Sequence, residues 1–285
     1  MCWSDRTDNV FGHPAQFGRH RIILHSFSGR RRIGDFQYGF DAMMQERGSR
    51  FVVHTVSLDI VVDAVHGNIT GTSIRAFWYH GISQGWVLAF LAGPPPCETW
   101  ARAVQVKDTD RRAPRVVRSG TDLWGLDSLS LRELDQVMMG NTLLCFALGS
   151  LLRVAFRGGT GALEHPKDPE EPSLPSIWRL PFVQWLQSLP GFEVIHFSQG
   201  LLGASSMKPT SLLCLNLPSI RQSLVQHGLS PDLPKGAAIG KLATGQWATC
   251  HLKEYRPAMD TFFKQSVCPP PTQRHNLTRS SFRHL

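Results

Sequence analysis

Residues 21–34, RIILHSFSGRRRIG, carry the reading that decides the fold. Ile22, Ile23 and Leu24 make a short apolar run of the kind that forms a buried strand, and Phe27-Ser28-Gly29 ends it in a glycine turn. The segment that follows, DFQYGFDAMMQERG (35–48), places Phe36, Phe40, Met43 and Met44 at helical spacing. Strand, glycine turn and helix in that order open a βαβ unit.

The pattern repeats outward from this unit. RFVVHTVSLDI (50–60) is a second apolar run whose end carries Asp59, and SIRAFWYHGISQG (73–85) and WVLAFLAG (86–93) read as a helix and a third strand stopped by Pro94, Pro95 and Pro96. Residues 107–127 read as a polar surface loop containing Arg111, Arg112, Arg115 and Arg118. A long helix over 130–156 is announced by the capping pattern Ser130-x-x-Glu133. Its apolar stripe is expected to bury Met138, Met139 and Cys145. TGALEHP (160–166), a helix over 177–189, FEVIHF (192–197) and TSLLCLNL (210–217) complete an α/β chain whose mostly parallel sheet has helices on both faces. The expected organisation is a loose segment over 1–20, a catalytic-type domain over 21–217, and an irregular extension with a basic tail over 218–285.

Composition narrows the classes. With 285 residues, 42% hydrophobic and 18% charged, the chain can bury a substantial core and is neither wholly disordered nor a small disulfide-stapled scaffold. Six scattered cysteines without metal spacing imply free thiols, a reducing compartment and no structural metal. The chain reads as soluble and intracellular, in cytoplasm or nucleus, with no membrane span or signal peptide expected. A net charge of +8 points to an anionic partner.

In an open α/β sheet, ligands bind beyond the carboxyl ends of the strands, so the residues that follow each run are the informative ones. They are Phe27-Ser28-Gly29, Asp59, Gly93-Pro-Pro-Pro-Cys97 and Glu164-His165-Pro166. Gly29 permits close backbone approach, the next helix offers free N–H groups to a carboxylate, and Asp59 offers two acceptors to a diol.

In this order the chain resembles the class I S-adenosylmethionine-dependent methyltransferases, and most closely their cytosine carbon-5 branch, over residues 21–217. FSG looks like the first cofactor loop, Gly67-Asn68-Ile69 like the Gly-Asp-Ile element, GPPPC like the Pro-Cys nucleophile loop, and EHP like Glu-Asn-Val/Pro. Residues 203–210, GASSMKPT, are similar to the Gln/Arg element that precedes the last hairpin. The resemblance implies a Rossmann-like sheet with a C-terminal antiparallel hairpin and S-adenosylmethionine as cofactor. It implies cofactor contacts from Phe27, Ser28, Gly29, Asp59, Ile60, Asn68, Gly93 and Pro94, with Cys97 as nucleophile and Glu164 holding the base. Arg115, Arg118 and Lys208 are expected to anchor a phosphate or the base carbonyl, and the partner expected is nucleic acid, DNA ahead of RNA. Two alternatives stay open: methylation of an exocyclic amine through the proline-rich loop, and a non-catalytic nucleic-acid-binding module of the same fold from a mobile element or virus.

Overall fold

The computed structural model describes residues 20–30, 35–47, 52–93, 95, 97–100, 115–202, 204 and 207–226. The expectations placed on residues 1–19, on Pro94, on Arg111 and Arg112, and on the tail beyond 226 lie outside that set, as do the side chains of Met43, Met44 and Cys97.

The chain runs β1 (His20–Ser26), α1 (Phe36–Arg47), β2 (Val52–Leu58), α2 (Thr72–Ser83) and β3 (Val87–Ala92). It continues through α3 (Leu131–Phe156), β4 (Thr160–Pro166), α4 (Pro181–Ser188), β5 (Phe192–Ser198), β6 (Pro209–Leu215) and α5 (Ile220–Gln226). The six strands form one mixed sheet in the order β2-β1-β3-β4-β6-β5, parallel from β2 to β4, with β6 antiparallel to both of its neighbours. The connection out of β1 leads to β2 on one side, and the chain then returns to place β3 on the other. The carboxyl ends of β1 and β3 therefore flank a topological switch point, the place where open α/β sheets bind ligands.

Strand alternation sorts the core into two layers. Ile22, Leu24, Phe90, Leu163 and Leu213 pack under α2, α3 and α4, while Ile23, Ala89, Leu91, Ala162 and Leu212 pack under α1 and α5. Both faces are covered, as apolar runs without polar alternation require.

Helix α3 opens with the expected capping box: Glu133 N–H donates to Ser130 Oγ, and Ser130 N–H donates to Glu133 Oε2 at 2.8 Å. It is also the one described helix long and apolar enough to cross a membrane, and 56% of its most apolar window is buried inside this fold.

Three expectations are corrected. Met138 and Met139 are 55% and 50% exposed and Cys145 is exposed, because α3 buries a narrower stripe through Val137, Leu144, Ala147 and Leu151. The helix expected over 177–189 is a short 3-10 turn (Ile177–Arg179) followed by α4, since Pro181 pushes Leu180 into extended backbone and restarts the helix at its first position. The extension expected to be irregular from residue 218 begins instead with α5, whose Ile220 and Leu224 are buried; seven residues are too few to show a period in sequence.

Candidate functional site

The carboxyl ends of β1, β2 and β3 are tied together by short contacts. Phe27 N–H donates to Leu58 O at 2.9 Å, and Gly93 N–H donates to Ser26 O at 2.9 Å. Phe27 holds a left-handed φ of 57°, costly for a side chain with a Cβ, and Gly29 follows at 70° with open space where a Cβ would stand. Strain of this kind persists where neighbours over-determine the backbone. Here Gly29 N–H donates to Asp59 Oδ2 at 2.9 Å and Val61 N–H to Asp59 Oδ1 at 3.0 Å.

The Asp59 turn is itself braced from below. A Cβ on residue 67 would stand 2.1 Å from Asp59 O, so only glycine lets the chain pass there. The Asp63 carboxylate accepts from Val65 N–H and His66 N–H, and the His66 backbone and ring hold its carboxyl down to about 2. Asn68 Oδ1 accepts from Thr70 N–H, and Arg75 donates to Ile69 O at 2.9 Å. Phe27, Ser28, Gly29, Asp59, Ile60, Asn68 and Gly93 thus share one edge, with Ile60 53% exposed beside the Asp59 carboxylate.

One expectation here changes. At the N-terminus of α1, Asp35 Oδ1 accepts from Tyr38 N–H at 2.8 Å, so one of the N–H groups expected to meet a ligand carboxylate is taken. The chain supplies its own acid at that helix end.

A second group gathers beside β3 and β4. Cys97 begins the 3-10 turn Cys97–Thr99, and Leu163 pairs with Ala92, so Glu164 stands level with the start of the proline-rich loop. Glu164 is fully buried; its Oε1 accepts from Gln199 Nε2 at 2.9 Å and from Lys208 Nζ at 3.4 Å. Topology explains the convergence. Gln199 follows the carboxyl end of β5 and Lys208 precedes β6, which runs the other way, so both reach the same edge. Gln199 was not singled out in sequence, although it follows a strand as the other site residues do.

The arginines part company. Arg115 stays half-exposed at the start of α3, donating to Ser128 O at 3.0 Å and pairing with Glu133 at 3.4 Å. Arg118 was expected to anchor phosphate, and that expectation is overturned, since its side chain is fully buried. Its Nε donates to Thr99 Oγ1 at 2.9 Å, Nη1 to Leu123 O at 2.6 Å and Nη2 to Val137 O at 3.2 Å, and the guanidinium lies 4.0 Å over the Trp100 ring.

Trp100 also meets His165 edge-on at 6.2 Å, and His165 meets Trp178 at 6.5 Å. His165 is buried, its Nε2 has no hydrogen-bond partner among the described residues, and burial pushes the imidazole down to about 3. It is therefore neutral in the fold. The unfolded chain takes up that proton near the ordinary 6.5, so it binds more protons than the fold between about 6.5 and 3, and stability falls with acid across that window. A His165→Phe variant is expected to lower the dependence of unfolding free energy on pH by up to about 1.4 kcal/mol per pH unit there. Urea melts at stepped pH measure it, and equal slopes in the two proteins would refute the assignment.

Among the described residues no cluster of three or more His, Cys, Asp or Glu side chains could hold a metal ion. No family model matches this chain, and no curated protein or solved structure matches it.

Proposed function

We propose that the chain is a class I, S-adenosylmethionine-dependent methyltransferase acting on a nucleic-acid base, cytosine carbon-5 of DNA first, through Cys97. The observation that carries this reading is the placement of two chemically distinct groups on one sheet edge. A carboxylate bound to the β1 turn lies at the switch point, and a buried glutamate with amide and ammonium donors lies two strands away. A mostly parallel sheet that ends in the antiparallel pair β5 and β6 agrees with the architecture the resemblance implies.

The residues present fit the cofactor. Asp59 spends one lone pair of each oxygen on a backbone N–H and retains acceptors for the ribose diol. Ile60 offers exposed apolar surface for a purine face, and Gly29 leaves its Cβ side open for close approach. When bound, S-adenosylmethionine supplies an electrophilic methyl group. The chain's part is to make carbon-5 of the pyrimidine nucleophilic. The Cys97 thiolate would add to carbon-6, the ring's electrons would move toward carbon-5 and N3, and carbon-5 would take the methyl group as that group's bond to the cofactor's sulfonium sulfur breaks and leaves a neutral thioether. Transfer of the carbon-5 proton to water would then expel the thiolate and restore the ring. Glu164, oriented by Gln199 and Lys208, faces the N3 edge of such a base, where its carboxylate accepts from N3–H once N3 has taken a proton and so balances the charge that develops on attack. A base in duplex DNA has to leave the stack to reach this edge.

Titration calorimetry with S-adenosylhomocysteine tests the reading at its base. Saturable binding is expected for the full chain, weakened at least about tenfold in Asp59→Ala, the cost of losing a hydrogen bond to a charged group. Absence of binding at millimolar ligand would favour the non-catalytic module.

A further inference from the structure

The interior holds a cation that no acid among the described residues neutralises. Arg118 is fully buried, and among the described residues no carboxylate pairs with it; its partners are a hydroxyl, two carbonyls and the face of Trp100. Burial pushes the guanidinium down to about 10, so it remains charged at neutral pH. A charge placed in the interior without an acid is expensive unless something else there uses it.

The contacts say what is held. Nε grips Thr99, the last residue of the turn that Cys97 begins, and the stacked Trp100 continues that turn toward His165 and β4. The two Nη groups fix the same guanidinium to Leu123 and to Val137 on the first turns of α3. The Cys97 turn is thereby bolted to the helix that follows β3 and, through Trp100 and His165, to the strand that carries Glu164. The planar fork suits this task, since one rigid group can meet three acceptors from three segments.

We propose that Arg118 is a positioning residue for Cys97, fixing the turn against α3 and β4 and supplying the positive potential that favours an anion, the thiolate, at its start. This rests on the reading of Cys97 as the nucleophile, but it makes a claim about the thiol that needs no methyl transfer to test. A cationic neighbour raises the thiolate fraction, and the thiolate is the reacting species.

The experiment is alkylation of the folded full chain with iodoacetamide at fixed neutral pH. Peptide mass spectrometry compares Cys97 with Cys145, an exposed thiol on α3 that serves as internal standard. In Arg118→Met the ratio of Cys97 to Cys145 alkylation is expected to fall about tenfold, with Arg118→Lys in between because it keeps the charge and loses the fork. Where methyl transfer is measurable, kcat should fall about 100-fold with KM for DNA unchanged, the signature of a misplaced reacting group. An unchanged or raised alkylation ratio in folded Arg118→Met overturns the proposal. If that variant does not fold, Thr99→Val, which removes only the hydroxyl acceptor, is judged by the same ratio. A ratio that falls in a protein without methyl transfer would sink the proposed function and leave the role of Arg118 standing.

Discussion

Covalent capture of an oligonucleotide containing 5-fluorocytosine is expected from the wild-type chain in the presence of S-adenosylmethionine, and none from Cys97→Ala. The logic is in the electron flow. After thiolate addition at carbon-6 and methyl transfer to carbon-5, release of the enzyme needs a proton to leave carbon-5; fluorine stands in its place and cannot leave as a cation, so the sulfur–carbon bond persists. A denaturing gel reads the adduct directly. Methyl transfer to unmodified DNA should drop by at least about 10⁴-fold in the same variant, a loss of roughly 5–6 kcal/mol of transition-state stabilisation. Equal capture by the alanine variant would remove Cys97 from the chemistry. Retained methyl transfer without any capture would instead favour the exocyclic-amine alternative, which needs no nucleophile on the enzyme.

The second large effect is on stability and centres on Glu164. Its side chain is wholly buried, and among the described residues Lys208 is a cation that reaches it, with its own side chain 16% exposed. Removing one member of such a pair strands the other in a low-dielectric interior, which costs about 3–5 kcal/mol, whereas removing both costs far less. Lys208→Met is therefore expected to lose about 3 kcal/mol in chemical denaturation, Glu164→Gln less, and the double variant to recover most of the difference. The cycle isolates the coupling. Additive losses would mean that the pair at 3.4 Å contributes nothing specific and that the carboxylate is oriented without Lys208.

Sequence patterning led to the sheet edge for a definite reason. In a βαβ chain each apolar run delivers its next residue to one side, so Gly29, Asp59, Gly93 and Glu164 could be placed together without knowing the strand order. The structure adds what patterning cannot contain. Arg118 sits in a stretch rich in charge, where a surface loop is the ordinary inference; its burial depends on Trp100, Thr99 and Val137, which meet it only after folding. Gln199 was overlooked because its role depends on β5 running beside β6. The cap at Asp35 was legible in principle, since an acid three residues ahead of a helical N–H is a capping signal that competes with a ligand carboxylate for the same helix end.

Inserting β6 antiparallel between β4 and β5 gives the edge of the sheet a layered dependence. Gln199 hangs from β5, which among the described residues has a neighbour on one side only, while Lys208 hangs from an interior strand paired on both sides. Edge strands open at lower free energy than the strands they cover. Local opening of β5 would therefore withdraw the neutral donor from Glu164 and leave the charged one in place. The carboxylate would lose the Gln199 amide and keep the Lys208 ammonium before the domain unfolds. The same glutamate thus has two grades of restraint, and the looser grade is reached by motion at the rim of the molecule rather than at its centre.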